Sequence, residues 1–401
     1  QVLKNEANNP YSISQNSVIS IFYDNEGFIW IGTYKNGISY SHPQLFKFAR
    51  SPIYPSQPNI RPEALDTNRI YEDSKGNLWI GTNGGGLIRH NRSTGETKTY
   101  RHNPGDPQSI SADIIISILE DSDGVMWFGT FLGGLNRMEG ERFIRYMPEP
   151  DKAGAISDKS VYSLVEDRNG NIWIATLGGG VNRLNRERTY FTHFNTSNTQ
   201  GLISNYVLSM FSPDGERIYL CTSVGISVLD TRLGLFASYP SAEREATPLD
   251  KVVYNACEDS RGLLWAATDN GLVLYDKETQ AFRSFLKEDG MPDSQVVSIV
   301  EDSEGNLWVG TKNGLACIYV IDDKAEREYH IVSFDEEDGM PGTFCNQNAS
   351  YKTASGRIAI GTTQGFFEFD PRQIEYNRLT PRPLFTALEV NNREVNLSAK
   401  E

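Results

Sequence analysis

The sequence has little of what marks membrane-spanning, nucleic-acid-binding or helical proteins. No apolar run approaches the ~18 residues needed to cross a bilayer. Its 38 Lys and Arg against 52 Asp and Glu leave a net charge of −14, which argues against nucleic acid and anionic membranes as partners. No apolar stripe of helical period runs along the chain. These absences favour a protein built of short, half-buried strands.

Residues suited to metal or cofactor chemistry are also scarce. The 4 cysteines form no CxxC pair, and no histidine stands at ligand spacing beside them. We therefore expect no metal and no cofactor. Each cysteine is better explained as a buried free thiol, because an unpaired cysteine behaves as a small hydrophobic residue. The four are Cys221, Cys257, Cys317 and Cys345.

The signs of an enzyme are equally thin. There is no nucleophile elbow and no phosphate-binding loop. The 5 histidines are scattered over the chain, where we expect them on outer strands or connections, in contact with solvent. No catalytic residue is predicted. The histidines are His42, His90, His102, His193 and His330.

The chain is built from repeats of one sequence motif centred on tryptophan. All 6 tryptophans occupy the same position of this repeat, and two degenerate copies place Tyr219 and Ala359 there. Successive anchors are 43 to 51 residues apart, a period typical of propellers, solenoids and arrays. The tryptophans are Trp30, Trp79, Trp127, Trp173, Trp265 and Trp308.

The local pattern within each copy predicts a blade of a β-propeller. Asp73 and Gly76 suit a type I turn closed by a residue with positive φ, and the alternation around Trp79 suits a strand packed between two sheets. Gly-rich reversals and two further β-rich runs follow in most copies. Four short antiparallel strands fit one period, so the fold class is all-β.

The number of blades in one ring stays open. Eight copies give eight blades if all join, with residues 2–3 closing the last blade. The alternative is a seven-bladed ring in which copy one belongs to a neighbouring propeller and residues 45–48 close the ring. The domain prediction assigns residues 1–380 to the propeller and 381–401 to a linker and the first strand of a β-sandwich.

One face of the predicted ring collects residues that the repeat does not dictate. The turns between second and third strands share this face with the connections between blades. Aromatic rings beside amides and charges suit sugar recognition, because rings stack on sugar faces and amides bond hydroxyls. The candidates for ligand binding are Tyr34, Lys35, Asn36, Asn83, Phe131, Asp269, Asn270, Lys312 and Asn313, with Leu132, Leu177 and Gln364 on the same face.

The repeat Asp-x-x-Gly-x-Leu-Trp-Ile-Gly-Thr-x-x-Gly-Gly-Leu resembles the two-component regulator propeller repeat over about residues 12–370. Residues 30–34, 365–371 and 381–391 resemble the second propeller of such sensors and its exit into a β-sandwich. The resemblance implies a periplasmic sensor region of a hybrid two-component receptor that recognises an oligosaccharide. It further implies an adjacent propeller and sandwich as partners, a membrane span, a cytoplasmic histidine kinase and a homodimer.

Two points qualify this expectation. The family usually pairs two seven-bladed propellers, so eight copies depart from its pattern and put in question whether copy one is native to this ring. Propellers also carry glycosidases, lyases and protein-interaction scaffolds. A carbohydrate-active enzyme and a protein–protein scaffold therefore remain the alternatives to a non-catalytic sensor.

Overall fold

The structure is a computed structural model that describes residues 4–5, 12–25, 27–41, 47–48, 65–149, 152–239, 246–322, 327–340, 342–374, 389–390 and 393–394. Within these residues it is all-β apart from three short 3-10 turns at Lys287–Asp289, Glu336–Asp338 and Pro371–Gln373. Each of the eight repeat copies forms one antiparallel sheet whose strands pair in chain order. The predicted fold class and the eight repeat modules are confirmed.

Six of the sheets have four strands, whereas those of copies one and eight have three within the described residues. The first strands, one per copy, are β1 (Val18–Tyr23), β4 (Thr67–Glu72), β8 (Ile115–Glu120), β12 (Val161–Glu166), β16 (Val207–Phe211), β20 (Val253–Glu258), β24 (Val296–Glu301) and β28 (Cys345–Lys352). The second strands, which carry the repeat anchors, are β2 (Ile29–Thr33), β5 (Asn77–Thr82), β9 (Met126–Thr130), β13 (Ile172–Thr176), β17 (Arg217–Thr222), β21 (Leu264–Thr268), β25 (Leu307–Thr311) and β29 (Ile358–Thr362).

The outer strands complete each meander. The third strands are β3 (Ile38–Ser41), β6 (Leu87–Asn91), β10 (Leu135–Glu139), β14 (Val181–Leu184), β18 (Gly225–Asp230), β22 (Gly271–Tyr275), β26 (Gly314–Asp322) and β30 (Gly365–Phe369). The fourth strands are β7 (Thr97–Tyr100), β11 (Arg142–Tyr146), β15 (Phe191–Phe194), β19 (Leu235–Tyr239), β23 (Phe282–Phe285) and β27 (Arg327–Phe334). A last short pair, β31 (Glu389–Val390) and β32 (Arg393–Glu394), lies beyond the repeats.

The first strands line the axis of a ring of seven sheets. Each contacts the first strand of the next copy, from β4 through β8, β12, β16, β20 and β24 to β28, and β28 in turn contacts β4. The apolar clusters follow the same order, since Trp79 packs with Ile115 and Phe128 of the next copy. Ala359 and Phe366 of copy eight pack with Leu78 of copy two. Copies two to eight therefore form the ring.

Hydrogen bonds between neighbouring copies confirm this order. The carboxylate of Glu120, at the end of β8, accepts the backbone N–H of Ser74 (2.7 Å) in the turn of the preceding copy. Glu166 and Glu301 accept the corresponding N–H of Ser122 and Ser260. Glu72 accepts the N–H of Ala354 from copy eight (2.8 Å), so the bond that copy one could have made is made by copy eight.

The sheet of copy one, β1 to β3, folds as a blade but takes no place in this ring within the described residues. Every residue of β1 is exposed, so neither face of that strand packs against another sheet. Ile21 and Phe22, on opposite faces, are 69% and 64% exposed. The contacts thus favour the seven-bladed alternative, although the predicted domain bounds at 380 and 381 remain a prediction.

Phe48 fills the place beside the three-stranded sheet of copy eight. Its ring is 2% exposed and makes edge-to-face contacts with Phe334, Phe367 and Phe369 at centroid distances of 5.0 to 5.4 Å. Lys47 forms an ion pair with Asp338 (2.8 Å). This is where the seven-bladed alternative expects the closing segment, whereas residues 2–3 lie outside the described residues.

Each tryptophan is tied to the aspartate six residues before it. Asp73 accepts the indole N–H of Trp79 (2.8 Å) with one oxygen and the N–H groups of Lys75 and Asn77 with the other. Gly76 closes the turn at φ +75, where a side chain would be strained. The aspartate and the glycine thus have the structural role that the repeat predicts.

The cysteines are free, as predicted. Cys221, Cys317 and Cys345 are buried and Cys257 is half-buried. Burial raises the pKa of Cys221 and Cys345 to about 12, so these thiols stay protonated at neutral pH and serve as apolar packing groups.

Candidate functional site

The turns between second and third strands meet the blade connections on one face of the ring, here called the loop face. The backbone N–H of Asn83 donates to the carbonyl of Asp66 (2.8 Å), and that of Lys312 to the carbonyl of Gln295 (3.1 Å). Each of these bonds joins the turn after the second strand of a blade to the connection that precedes the first strand of the same blade. The face that the sequence predicts for ligand binding is therefore a continuous surface.

A cavity of about 320 Å³ lies at the axial end of this face. Its wall combines five amide side chains with two aromatic rings, three aliphatic side chains and one lysine, and no acidic residue lines it within the described part of the chain. This mixture is typical of a site that binds a neutral or anionic polar ligand. The lining residues are Asn68, Asn83, Ile114, Ile116, Phe131, Tyr162, Leu208, Lys312, Asn346, Gln347 and Asn348.

A bulge in the first strands puts part of this wall in place. In β12, Val161 pairs with Thr176 of β13, and Ser163 pairs with the adjacent Ala175. Tyr162, between them, therefore has no partner in the β-ladder. Ile116 and Leu208 occupy the same bulged position in β8 and β16. A bulge re-aims the extra side chain and is common beside binding sites. Asn68 is the bulged residue of β4, so copies two to five each contribute one bulged residue to the cavity.

Copy eight departs from this regular bulge. Cys345 pairs with Thr362 and Ser350 with Ile360, so the four residues between them face Gly361 alone. Asn348 within this segment has φ +56, the left-handed region that asparagine tolerates better than most residues. The irregular strand places three successive amides, Asn346 to Asn348, in the cavity wall.

Asn348 also joins three copies across the ring. Its carbonyl oxygen accepts a hydrogen bond from the Arg69 guanidinium (2.6 Å), and its side-chain oxygen accepts one from Asn255 Nδ2 (2.8 Å). Arg69 and Asn255 stand where β8, β12 and β24 carry serine. Hydrogen bonds through Asn348, one of the lining residues, thus link copies two, eight and six beside the cavity.

The amides at one edge of the cavity are fixed by an aspartate behind them. Asp66 accepts hydrogen bonds from Nδ2 of Asn83 (2.8 Å) and Nδ2 of Asn346 (2.6 Å) with different oxygens. Asn346 Nδ2 also donates to the carbonyl of Thr67 (2.9 Å). Since both amide nitrogens are engaged, the Asn83 and Asn346 side chains are held in fixed orientations, which favours recognition.

The structure brings three of the nine predicted ligand-binding residues together. Asn83, Phe131 and Lys312 line the cavity. Asp269 and Asn270 are exposed in the turn between β21 and β22, away from the cavity wall. Asn313 lines a separate recess of about 470 Å³ beside Asp335 and Glu336.

The other three predicted residues lie in copy one. Tyr34 is exposed, with the Lys35 ammonium 5.4 Å from the centre of its ring. Asn36 Nδ2 donates to the carbonyl of Ser14 (3.0 Å) within the same copy. Because copy one takes no place in the ring, these residues and the cavity do not form one site within the described chain.

Sequence reasoning missed the residues that come from the first strands. Asn68, Ile116, Tyr162 and Leu208 differ in chemistry from copy to copy, so no repeat signal marks them. The amides of copy eight had a visible signal, because the interval from Trp308 to Ala359 is the longest between anchors. The extra length lies partly in β28.

The histidines in the described residues lie away from the cavity. His90 and His193 lie in strands β6 and β15, where their rings bond Thr97 Oγ1 (2.9 Å) and the carbonyl of Ala155 (2.6 Å). His102 follows β7 and donates to the carbonyl of Ile110 (3.0 Å). His330 is in β27, and His42 lies outside the described residues. Their places on outer strands and connections agree with the sequence prediction.

The part of the chain that the structure describes has neither a cluster suited to a metal ion nor a membrane-spanning helix. No group of three or more His, Cys, Asp or Glu side chains in this part is arranged to hold a metal ion. Within the same residues, no helix has the length and apolarity that crossing a membrane takes.

Comparison with known proteins identifies the repeat. The sequence profile described as "Two component regulator propeller" matches residues 12–35, 65–84, 109–131, 155–178 and 290–313. No curated protein sequence matches the chain.

Solved structures share the fold over nearly the whole chain. One is described as the extracellular domain of a hybrid two-component system from B. thetaiotaomicron: it is 26% identical, with a TM-score of 0.73 over 98% of this chain and 52% of that one. A second is described as the extracellular domain of a one component system from the same organism: it is 22% identical, with a TM-score of 0.66 over 99% of this chain and 52% of that one. The chain thus spans about half the length of these structures.

A propeller enzyme is also similar in fold. An inactive variant of virginiamycin B lyase from Staphylococcus aureus is 14% identical, with a TM-score of 0.56 over 80% of this chain and 98% of that one. At this identity the likeness concerns the fold alone, and it carries no catalytic residue over to this chain.

Proposed function

Since the chain carries repeats of the two-component regulator propeller family, we propose that it is a non-catalytic, extracytoplasmic sensor region of a hybrid two-component receptor. In this proposal it lies in the periplasm and recognises an oligosaccharide in the loop-face cavity. The likeness to an extracellular domain of that receptor class over 98% of the chain supports the assignment.

The observation that carries the ligand class is the irregular β28 strand. It replaces one bulged residue by a run of three amides in the cavity wall, at the cost of a left-handed backbone at Asn348. Such a conformation costs of order 1 kcal/mol and persists where the surrounding structure holds it. Amides that donate and accept beside the rings of Phe131 and Tyr162 suit sugar hydroxyls and apolar sugar faces.

Signal transmission requires that the ligand favours one arrangement of modules over another. The ring is held by contacts between every pair of neighbouring copies, so we propose that it responds as a rigid body. The ligand would then alter how the loop face packs against an adjacent propeller, and the change would pass through a following β-sandwich, in a homodimer, to a kinase.

Calorimetric titration tests the proposal. The purified chain, and the longer extracytoplasmic region that contains it, would be titrated with panels of oligosaccharides. We expect saturable heat from one class of sugar, and loss of that heat when Asn346→Ala and Gln347→Ala remove two cavity amides. Sugar turnover by the same samples would instead favour the carbohydrate-active enzyme.

A further inference from the structure

Lys312 differs from three other half-buried lysines of the described residues in having no ion pair. The residue lines the cavity, and no carboxylate of the described residues lies within ion-pairing distance of its ammonium group. By contrast, Lys47, Lys98 and Lys277 each pair with a carboxylate in the same structure. In a chain with a net charge of −14, a half-buried lysine without an acidic neighbour is a position where a ligand could supply the missing negative charge.

A second cation without an ion pair among the described residues lies next to the cavity wall. Arg69 follows the lining residue Asn68 in the chain, and its guanidinium donates a hydrogen bond to the uncharged carbonyl of Asn348. Its Nε is buried and has no hydrogen-bond partner within the described residues. Burial lowers the pKa of Arg69, yet an arginine remains charged in proteins. Lys312 in the wall and Arg69 beside it thus both carry a positive charge that no carboxylate of the described residues pairs with.

The acids of the surrounding surface do not cancel this local field. The carboxylate of Asp66, behind the wall, is bonded to the amides of Asn83 and Asn346 and is not itself part of the lining. More distant surface acids are screened by salt beyond about 10 Å at 0.1 M. Inside a cavity the interaction of a ligand with Lys312 is screened much less.

We propose that the oligosaccharide carries a negatively charged substituent, a carboxylate or a sulfate, and that Lys312 binds this group while the amides and aromatic rings hold the sugar. The proposal rests on the function proposed above and deepens it by naming the ligand class. A single charge-assisted hydrogen bond in a partly desolvated site is strong enough to select charged over neutral sugars.

Titration of the purified chain with matched panels tests this inference. One panel holds neutral oligosaccharides, the second uronate-containing ones and the third sulfated ones of the same lengths. We expect one charged panel to bind at least about tenfold tighter than the neutral panel, with an affinity that falls as salt rises. The two charged panels distinguish carboxylate from sulfate.

Variants of the lysine make the test specific. Lys312→Gln should weaken the charged ligand about tenfold and leave any neutral ligand unchanged, whereas Lys312→Arg, which keeps the charge, should restore binding. Lys159→Gln is the matched control, since Lys159 is exposed in a loop-face connection and lies outside the cavity wall. Because Lys312 is on a turn and only half-buried, its substitution leaves the ring core intact.

The possible failures are distinct. Equal or tighter binding of neutral sugars, or a Lys312→Gln variant that binds the charged sugar normally, overturns the anionic ligand and leaves the oligosaccharide sensor standing. The absence of heat from all three panels removes the proposed function, and the inference with it.

Discussion

Copies one and two have the same local structure and opposite surroundings. Asp24 accepts the indole N–H of Trp30 at 2.7 Å and Asp73 that of Trp79 at 2.8 Å. Yet Trp30 is 37% exposed and Trp79 only 2%. The repeat sequence therefore specifies a β-hairpin whose indole is hydrogen-bonded to the aspartate. It does not specify which neighbouring sheet packs against that hairpin.

Hydrogen bonds between neighbouring copies distinguish the copies that belong to the ring from the one that does not. Glu72 of copy two could accept the turn N–H of whichever copy precedes it in space, and it accepts that of Ala354 from copy eight. The Arg92 guanidinium also donates two hydrogen bonds, of 3.1 and 2.8 Å, to the carboxylate of Glu368 in copy eight. The contacts that close the ring thus join residues nearly 300 positions apart. For this reason the order of the copies along the chain does not show which of them form the ring.

The largest expected effect distinguishes a ring indole from the indole of copy one. Trp127→Ala should lower the free energy of unfolding by about 3 to 5 kcal/mol, because it leaves a cavity between two sheets. It also removes the partner of Asp121 Oδ2, which would keep only Arg188. Trp30→Ala should cost less than about 1 kcal/mol, since that ring is already partly in water.

Urea unfolding followed by circular dichroism measures both variants. The control is Trp30→Phe, which keeps an aromatic ring and should match the parent chain. A Trp30→Ala variant as unstable as Trp127→Ala would mean that copy one packs into the ring after all, and the comparison between copies one and two would fail.

Much of this architecture is predictable from sequence, for identifiable reasons. The aspartate, glycine and tryptophan recur where the turn and the inter-sheet packing require them, so the strand order and the loop face could be derived. Ring membership could not be derived. Residues 2–3 and the segment ending in Phe48 both read as closing strands, and only packing in three dimensions chooses between them.

The candidate site was predictable only at its rim. Asn83, Phe131 and Lys312 follow second strands, where the repeat fixes the position and leaves the residue free. The bulged residues lie inside strands, where alternation indicates packing, and a bulge reverses that indication locally. Asn346 to Asn348 lie in an irregular strand whose extra length shows in the spacing, but spacing does not say where the chain bulges.

A second prediction concerns the closing segment. Phe48→Ala should destabilise the ring by about 3 kcal/mol, because the ring of Phe48 is buried among three other aromatic rings of copies seven and eight. Phe22→Ala in copy one is the matched control and should change stability by less than about 0.5 kcal/mol, since Phe22 is 64% exposed. Thermal unfolding of the two variants checks this, and equal shifts in Tm would contradict a ring closed at Phe48.

The smallest expected effect tests the bond that chooses copy eight over copy one. Glu72→Ala removes the acceptor of the Ala354 N–H and one partner of Arg92, 3.7 Å away. We expect a loss of about 1 to 2 kcal/mol, because an N–H at the junction loses a charge-assisted bond while the apolar packing of copies two and eight remains. Glu149→Ala is the control: the ion pair of Glu149 with Lys152 is exposed and within one connection, so the loss of stability should be near zero.

Hydrogen exchange gives the decisive readout, since the Ala354 amide should exchange faster in Glu72→Ala while the Ser74 amide, bonded to Glu120, keeps its protection. Unchanged exchange at Ala354 would mean that the ring closes without this bond, and that apolar contacts alone exclude copy one.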